Sequence, residues 1–310
     1  MAKLMSKKTR EIVQTVSVLV VVILFIVFYI VFPLITVPDL MARAEKEQFD
    51  DPEFTLANDP AHFIEMGLNP DTFTVITRDN VNLASLFFRP DSAEFDSALG
   101  TAILVHAGDS DRTALGPYIP PLLEAGFDVV IYDQRACGLS GGVWHTAGRY
   151  ESDDLVDMIA ELNIHDQLIN PIVTVGFGVG ADAVRRAAID EQRIDYTVLV
   201  SPFLTGIRWM DDRIDHKDAL WIPFANTVYY WWFKKISGFP YDKTTVDDLR
   251  PLSVRTALIL PNDILESEAA AKLIEISPSD ILNVVPYPPD DSAMIKTVVG
   301  LVRDFRKPLE

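Results

Sequence analysis

Cysteine is nearly absent: Cys137 is the only one in 310 residues, so no disulfide can close within the chain and zinc-finger-type cysteine sites are excluded. Histidine is scarce as well. The five, at 62, 106, 145, 165 and 216, show no metal-ligand spacing, and neither a metal nor a cofactor is expected. No Asn-x-Ser/Thr sequon occurs, which favours a bacterial envelope over a eukaryotic secretory compartment. Positive charge is short, with 27 Lys and Arg against 45 Asp and Glu, a net charge of −18. That shortage is uneven, because Lys3, Lys7, Lys8 and Arg10 against Glu11 make the first eleven residues +3 and leave −21 for the rest. A body so acidic repels nucleic acid and anionic lipid surfaces, so no nucleic-acid partner is expected.

What the chain does have is one long uncharged run, from Ile12 to Val37, almost purely Val, Leu, Ile, Phe and Tyr between Val16 and Phe32. A helix of about 20 such residues crosses a hydrocarbon core of about 30 Å. The run is longer than the apolar region of a cleaved signal peptide, about 7–15 residues, and so reads as a retained anchor. Four Lys/Arg precede it and an acidic segment follows, which keeps residues 1–11 in the cytoplasm and places the remainder outside it, with a bacterial inner membrane favoured.

Residues 38–70 read as a linker or stalk, and residues 71–310 as one domain. From Phe73 onward, short β-branched runs alternate with helical stretches. The strand candidates are Phe73–Thr77, Leu83–Phe88, Ala102–His106, Asp128–Tyr132, Ile172–Val175, Thr197–Val200, Ala257–Leu260 and Leu282–Val285. Helical patterns fill Tyr118–Ala125, Ser152–Leu162, Ala181–Glu191 and Glu266–Glu275. Continuous apolar strands separated by helices predict a mostly parallel sheet covered on both faces, with an antiparallel start at the Asp79-Asn80 turn. An insertion at about 203–250, containing Tyr229-Tyr230-Trp231-Trp232-Phe233, reads as a cap over the carboxyl end of that sheet. The alternative for its aromatic cluster is docking to a partner or to the nearby bilayer.

Three segments in order carry a resemblance: Ile103-Leu104-Val105-His106-Ala107-Gly108, Val130 to Gly142 with Asp133-Gln134-Arg135-Ala136-Cys137-Gly138-Leu139-Ser140, and Val173-Thr174-Val175-Gly176-Phe177-Gly178-Val179-Gly180. Together they resemble the oxyanion turn, the Asp-x-Arg-Gly-x-Gly-x-Ser loop and the nucleophile elbow of α/β-hydrolases, in particular lysophospholipase-like and peptidase-like serine hydrolases with an N-terminal anchor. The resemblance implies an α/β-hydrolase fold with a cap insertion behind one transmembrane helix. It places the nucleophile at Gly178, the acid at Asp263 and the histidine at Asp290, and the oxyanion and elbow positions at His106, Ala107, Gly176, Val179 and Gly180.

Glycine at 178 has no atom that could attack a carbonyl carbon, and no histidine follows His216. The competing Gly-x-Ser-x-Gly at Ser140 lacks the helix that an elbow requires after it, and Ser140 reads as a loop-stabilising residue. Ser201, after a strand, reads as structural. Cys137 reads as structural too, since nothing in its vicinity in the sequence supplies an obvious base, and His106 reads as a hydrogen-bonding residue at the sheet end. The leading expectation is a catalytically inactive, membrane-anchored protein that acts by binding, an accessory or scaffold subunit beside other membrane or envelope proteins. The alternatives are a serine-type ester, lipid or peptide hydrolase rearranged around Ser140 or Ser201 with His106 or His145, and a sensor whose vestigial pocket takes a lipid or acyl compound.

Overall fold

The computed structural model describes residues 7–41, 60–91, 93–95, 97–108, 110–206, 208–211, 225–237 and 249–305. The chain divides into two compact units, one made of Met1–Met41 with Arg213–Tyr241, the other of Ala42–Asp212 with Asp242–Glu310.

In the first unit, α1 (Lys7–Ile26) runs through a π turn at Val27–Val31 into α2 (Phe32–Met41). The π turn falls just before Pro33, which has no N–H for the regular ladder, so the helix slips register there instead of breaking. Among the described residues, the helix Lys7–Pro38 is long and apolar enough to cross a membrane, and its side chains are largely uncovered. The helix Ala225–Ser237 belongs to this same unit and packs against α2. Val37 and Met41 on α2, and Tyr229 and Phe233 on the insertion helix, are pairs four apart and all buried. The central helix of the insertion is thus grouped with the anchor. Residues 212–224 and 238–248 of the insertion lie outside the described residues.

In the second unit, α3 (Pro60–Glu65) precedes β1 (Asp71–Ile76) and β2 (Asn82–Phe88). β3 (Gly100–Val105) leads through a 3-10 turn at Arg112–Tyr118 into α4 (Ile119–Glu124) and β4 (Phe127–Tyr132). Then come α5 (Arg149–Ile164), β5 (Ile172–Phe177), α6 (Val179–Asp190) and β6 (Ile194–Val200). After the insertion, β7 (Arg255–Leu260), α7 (Asn262–Leu265), α8 (Glu268–Ile276), β8 (Leu282–Pro286) and α9 (Asp291–Asp304) complete the unit. The strands form one eight-stranded sheet in the order β1-β2-β4-β3-β5-β6-β7-β8. The pairs β1/β2 and β2/β4 are antiparallel and the rest parallel, as the strand pattern predicts.

The central strands are buried on both faces because their side chains alternate between two cores. Ile103 and Val105 of β3 join Leu155, Met158 and Ile159 of α5, while Ala102 and Leu104 join Leu115, Ile119 and Leu122 on the opposite face. The packed domain begins earlier than residue 71: Phe63 of α3 is fully buried and meets the Phe88 ring at 5.4 Å. Residues 42–59 of the expected linker lie outside the described residues. The pattern reading passed over α9, although Met294, Val298 and Val302, spaced by four, form its buried stripe.

Candidate functional site

β3 and β5 are neighbours in register, with Val105 opposite Gly176, so the turns that leave their carboxyl ends meet. β5 ends at Phe177, Gly178 makes the turn at φ 53 and ψ −122, and α6 starts at once with Val179. This is the sharp strand-to-helix elbow expected from the motif, and its flanking glycines have steric reasons. A Cβ on Gly180 would lie 2.3 Å from the His106 carbonyl oxygen and 2.6 Å from that of Val105. On Gly176 it would lie 2.5 Å from Ala181 Cα and from the Gly180 carbonyl oxygen. At Gly178 there is more space, since the atoms nearest to a Cβ would be the Ala107 methyl at 3.3 Å, Ala107 Cα at 3.8 Å and the Phe203 ring at 3.9 Å. A side chain at 178 would fit more easily than one at 176 or 180, at the cost of the strain that φ 53 imposes on a residue other than glycine.

The surroundings of Gly178 are apolar. Phe203 is held by Asp182, whose carboxylate accepts the Phe203 and Leu204 backbone N–H groups at 2.7 and 2.9 Å. Phe177 packs against Tyr118 with ring centroids 4.9 Å apart, and burial pushes the Tyr118 hydroxyl up to about 12. Val179 is the first residue of α6, so its N–H has no acceptor within the helix.

The other triad positions are engaged elsewhere. Asp263, in the first turn of α7, is exposed and takes a 2.6 Å ion pair from Arg208 Nη2. Asp290 is the N-cap of α9, accepting the Ala293 N–H at 2.8 Å. His106 is fully buried and both ring nitrogens are occupied. Nε2 accepts the Gln134 N–H at 2.9 Å, which leaves the proton on Nδ1, 2.5 Å from the Ala107 carbonyl oxygen. Burial lowers its pKa, so it stays neutral and ties the ends of β3 and β4 together.

The loop after β4 is organised by Asp133, which accepts the Arg112 and Leu139 N–H groups at 2.9 and 2.8 Å. Gly138, at φ +44, lies so close to that carboxylate that a Cβ would meet Asp133 Cγ at 2.1 Å. Ser140 Oγ donates to the Asp133 carbonyl at 2.6 Å and accepts the Ala84 N–H at 2.9 Å. Arg135 is bidentate to Asp154 at 2.6 and 2.7 Å and reaches Asp79 at 2.9 Å, joining the loop to α5 and to the β1–β2 turn. Ser201 adopts φ 50 and donates its backbone N–H to Ile259. Among the described residues, no hydrogen bond joins Ser140 or Ser201 to His106 or His145.

One grouping went unread in the sequence. Cys137 Sγ lies 3.2 Å from His145 Nε2, which corrects the expectation that no base is near this thiol. The signal was a histidine eight residues on, across a glycine-rich reversal that the Ala136 N–H to Gly141 carbonyl bond closes at 2.8 Å. A groove of about 690 Å³ lies elsewhere, lined by Leu68, Asp71, Arg89, Glu94 and Glu124 among others, and takes in no elbow residue.

A family model described as the alpha/beta hydrolase fold matches residues 105–262. Among solved structures, the Pyrococcus furiosus esterase Pf2001 is 20% identical over 81% of this chain and 96% of its own, with a TM-score of 0.59. XC6422 from Xanthomonas campestris, described as a serine hydrolase without lid, is 17% identical over 76% and 94%, with a TM-score of 0.50. An esterase from Exiguobacterium antarcticum is 11% identical over 75% and 100%, with a TM-score of 0.52. No curated protein matches by sequence.

The two elbow glycines predict different costs. Gly180→Ala drives a methyl into backbone carbonyls and should lose about 3 kcal/mol or more of stability. Gly178→Ser has room and adds only the strain of a non-glycine residue at this φ, about 1–2 kcal/mol. Thermal midpoints of the detergent-solubilised chains check the order, with Gly180→Ala clearly the lower.

Proposed function

Because this chain belongs to the alpha/beta hydrolase fold family, we propose that it keeps the fold while having given up serine-hydrolase chemistry, and that it works as a membrane-anchored binding protein. The observation that carries this reading is Gly178, a residue without a nucleophile at the apex of an intact elbow. Asp290 capping α9 supports it, since the position the resemblance assigns to histidine holds a carboxylate with a structural task. Loss of nucleophile or histidine from such a triad costs on the order of a millionfold in turnover. The similar esterase structures support the fold and leave the chemistry to the residues of this chain.

The anchor supports a location at a membrane, with the domain on the extracytoplasmic side of a bacterial inner membrane and other envelope proteins, or a lipid or acyl group, as binding partners. The lysine and arginine flank of α1 favours that orientation. The insertion helix supports a second membrane contact beside the anchor. It packs on the far end of the span, the π turn and α2, and carries Tyr229-Tyr230-Trp231-Trp232-Phe233-Lys234-Lys235. Trp231 is 51% exposed and has Lys235 Nζ 5.7 Å from its ring. Aromatic rings with flanking lysines suit the headgroup level of a bilayer.

Treatment of the purified chain with a fluorophosphonate probe tests the first reading: no serine should label, and stoichiometric labelling at any serine overturns it. In proteoliposomes, a shallow lipid-borne quencher should dim the tryptophan fluorescence, and Trp231→Phe with Trp232→Phe should remove most of that effect. Quenching unchanged by the double substitution would contradict the interfacial helix.

A further inference from the structure

The grouping around Cys137 is chemically ordered. Sγ is 3.2 Å from His145 Nε2, and on the other side of the ring Nδ1 is 3.6 Å from Glu151 Oε1, within ion-pair range and beyond hydrogen bonding. Cys137 is 5% exposed, His145 and Glu151 not at all. Glu151 also accepts the Thr146 N–H at 2.7 Å on one oxygen and the Thr146 hydroxyl at 2.6 Å on the other. Burial, the largest influence, pushes the Glu151 carboxyl up, yet the opposing pull of His145 and Thr146 holds it below the usual range.

An ionised carboxylate in the interior needs a counter-charge. His145 lies between that carboxylate and the thiol, its Nδ1 3.6 Å from Glu151 Oε1 and its Nε2 3.2 Å from Cys137 Sγ. The three side chains stand in series and do not converge on one point, which suits proton transfer along the row and not the holding of a metal ion. A thiol beside a carboxylate-supported histidine is the arrangement that produces a thiolate near neutral pH.

We propose that Cys137, His145 and Glu151 form a thiolate site that reacts with small hydroperoxides. The sulfur attacks the distal peroxide oxygen; the S–O bond forms as the O–O bond breaks. His145 gives its Nε2 proton to the departing hydroxide or alkoxide, releasing water or an alcohol. Sulfur is oxidised by two electrons to sulfenic acid and the peroxide is reduced by two. Small oxidants are favoured because the thiol is almost covered, with the Gly108 carbonyl oxygen 3.9 Å from Sγ. No second cysteine exists to resolve the product, so the sulfenic acid persists until an external thiol caps it. This site is independent of Gly178, and a fluorophosphonate result bears on it in neither direction.

With one thiol per chain, the test is unambiguous. The full chain in detergent is titrated by thiolate absorbance, and separately treated with hydrogen peroxide in the presence of dimedone and weighed intact. A thiolate step below pH 7 and one dimedone adduct per chain are expected. His145→Gln should move the step towards the ordinary thiol value of about 8.5 and slow adduct formation about tenfold at pH 6.5. Glu151→Gln should shift the step in the same direction. A wild-type step at or above about 8.5 overturns the proposal whether or not the variants fold. Equal labelling rates in wild type and a folded His145→Gln chain overturn it as well.

Discussion

The contact of Gly180 with the carbonyl oxygens of Val105 and His106 fixes where α6 can begin. Without a side chain at 180, the helix comes down onto the end of β3, and the chain must turn from β5 within a single residue. Gly178 takes that turn at φ 53, and Gly176 lets the next turn of helix lie over the strand. The same closeness brings Ala107 against Gly178 and leaves His106 to tie β3 to β4 through Gln134. The geometry that would hold a nucleophile is therefore also what joins the central strands. This gives a physical reason for the turn to persist when residue 178 has no functional group.

Around this frame, Asp263 and Asp290 have structural partners. Asp263 pairs with Arg208 at the surface, and Asp290 caps α9. An N-cap of this kind contributes about 1 kcal/mol, and a median exposed ion pair contributes less. Such modest stabilisation gives each of these residues a structural role.

Much of the fold was legible because a strand buried on both faces leaves a continuous apolar run, as in Ile103-Leu104-Val105 and Val129-Val130-Ile131. The elbow was legible for a related reason: glycines two apart between a strand and a helix point to close backbone approach. What local pattern could not carry was contact across distance. Nothing near Tyr229 indicates that its helix groups with α2, since an apolar face names no partner. Phe63 looked like linker because its mates, Phe88 among them, lie on other elements. The pairing of Cys137 with His145 depends on a loop reversal set by Gly138, Gly141 and Gly142, and spacing alone does not announce it. The stripe of α9, Met294, Val298 and Val302, is readable in the sequence, with Asp290 as its N-cap.

On the function proposed above, nothing in the elbow can attack an acyl carbon. Steady-state turnover of a short-chain p-nitrophenyl ester by the purified full-length chain, measured beside Gly178→Ser, tests that claim most directly. The wild type should match the buffer rate. Gly178→Ser should gain little, because a serine without a histidine has no base to take its proton. Multiple turnover by the wild type that a fluorophosphonate abolishes would contradict the account.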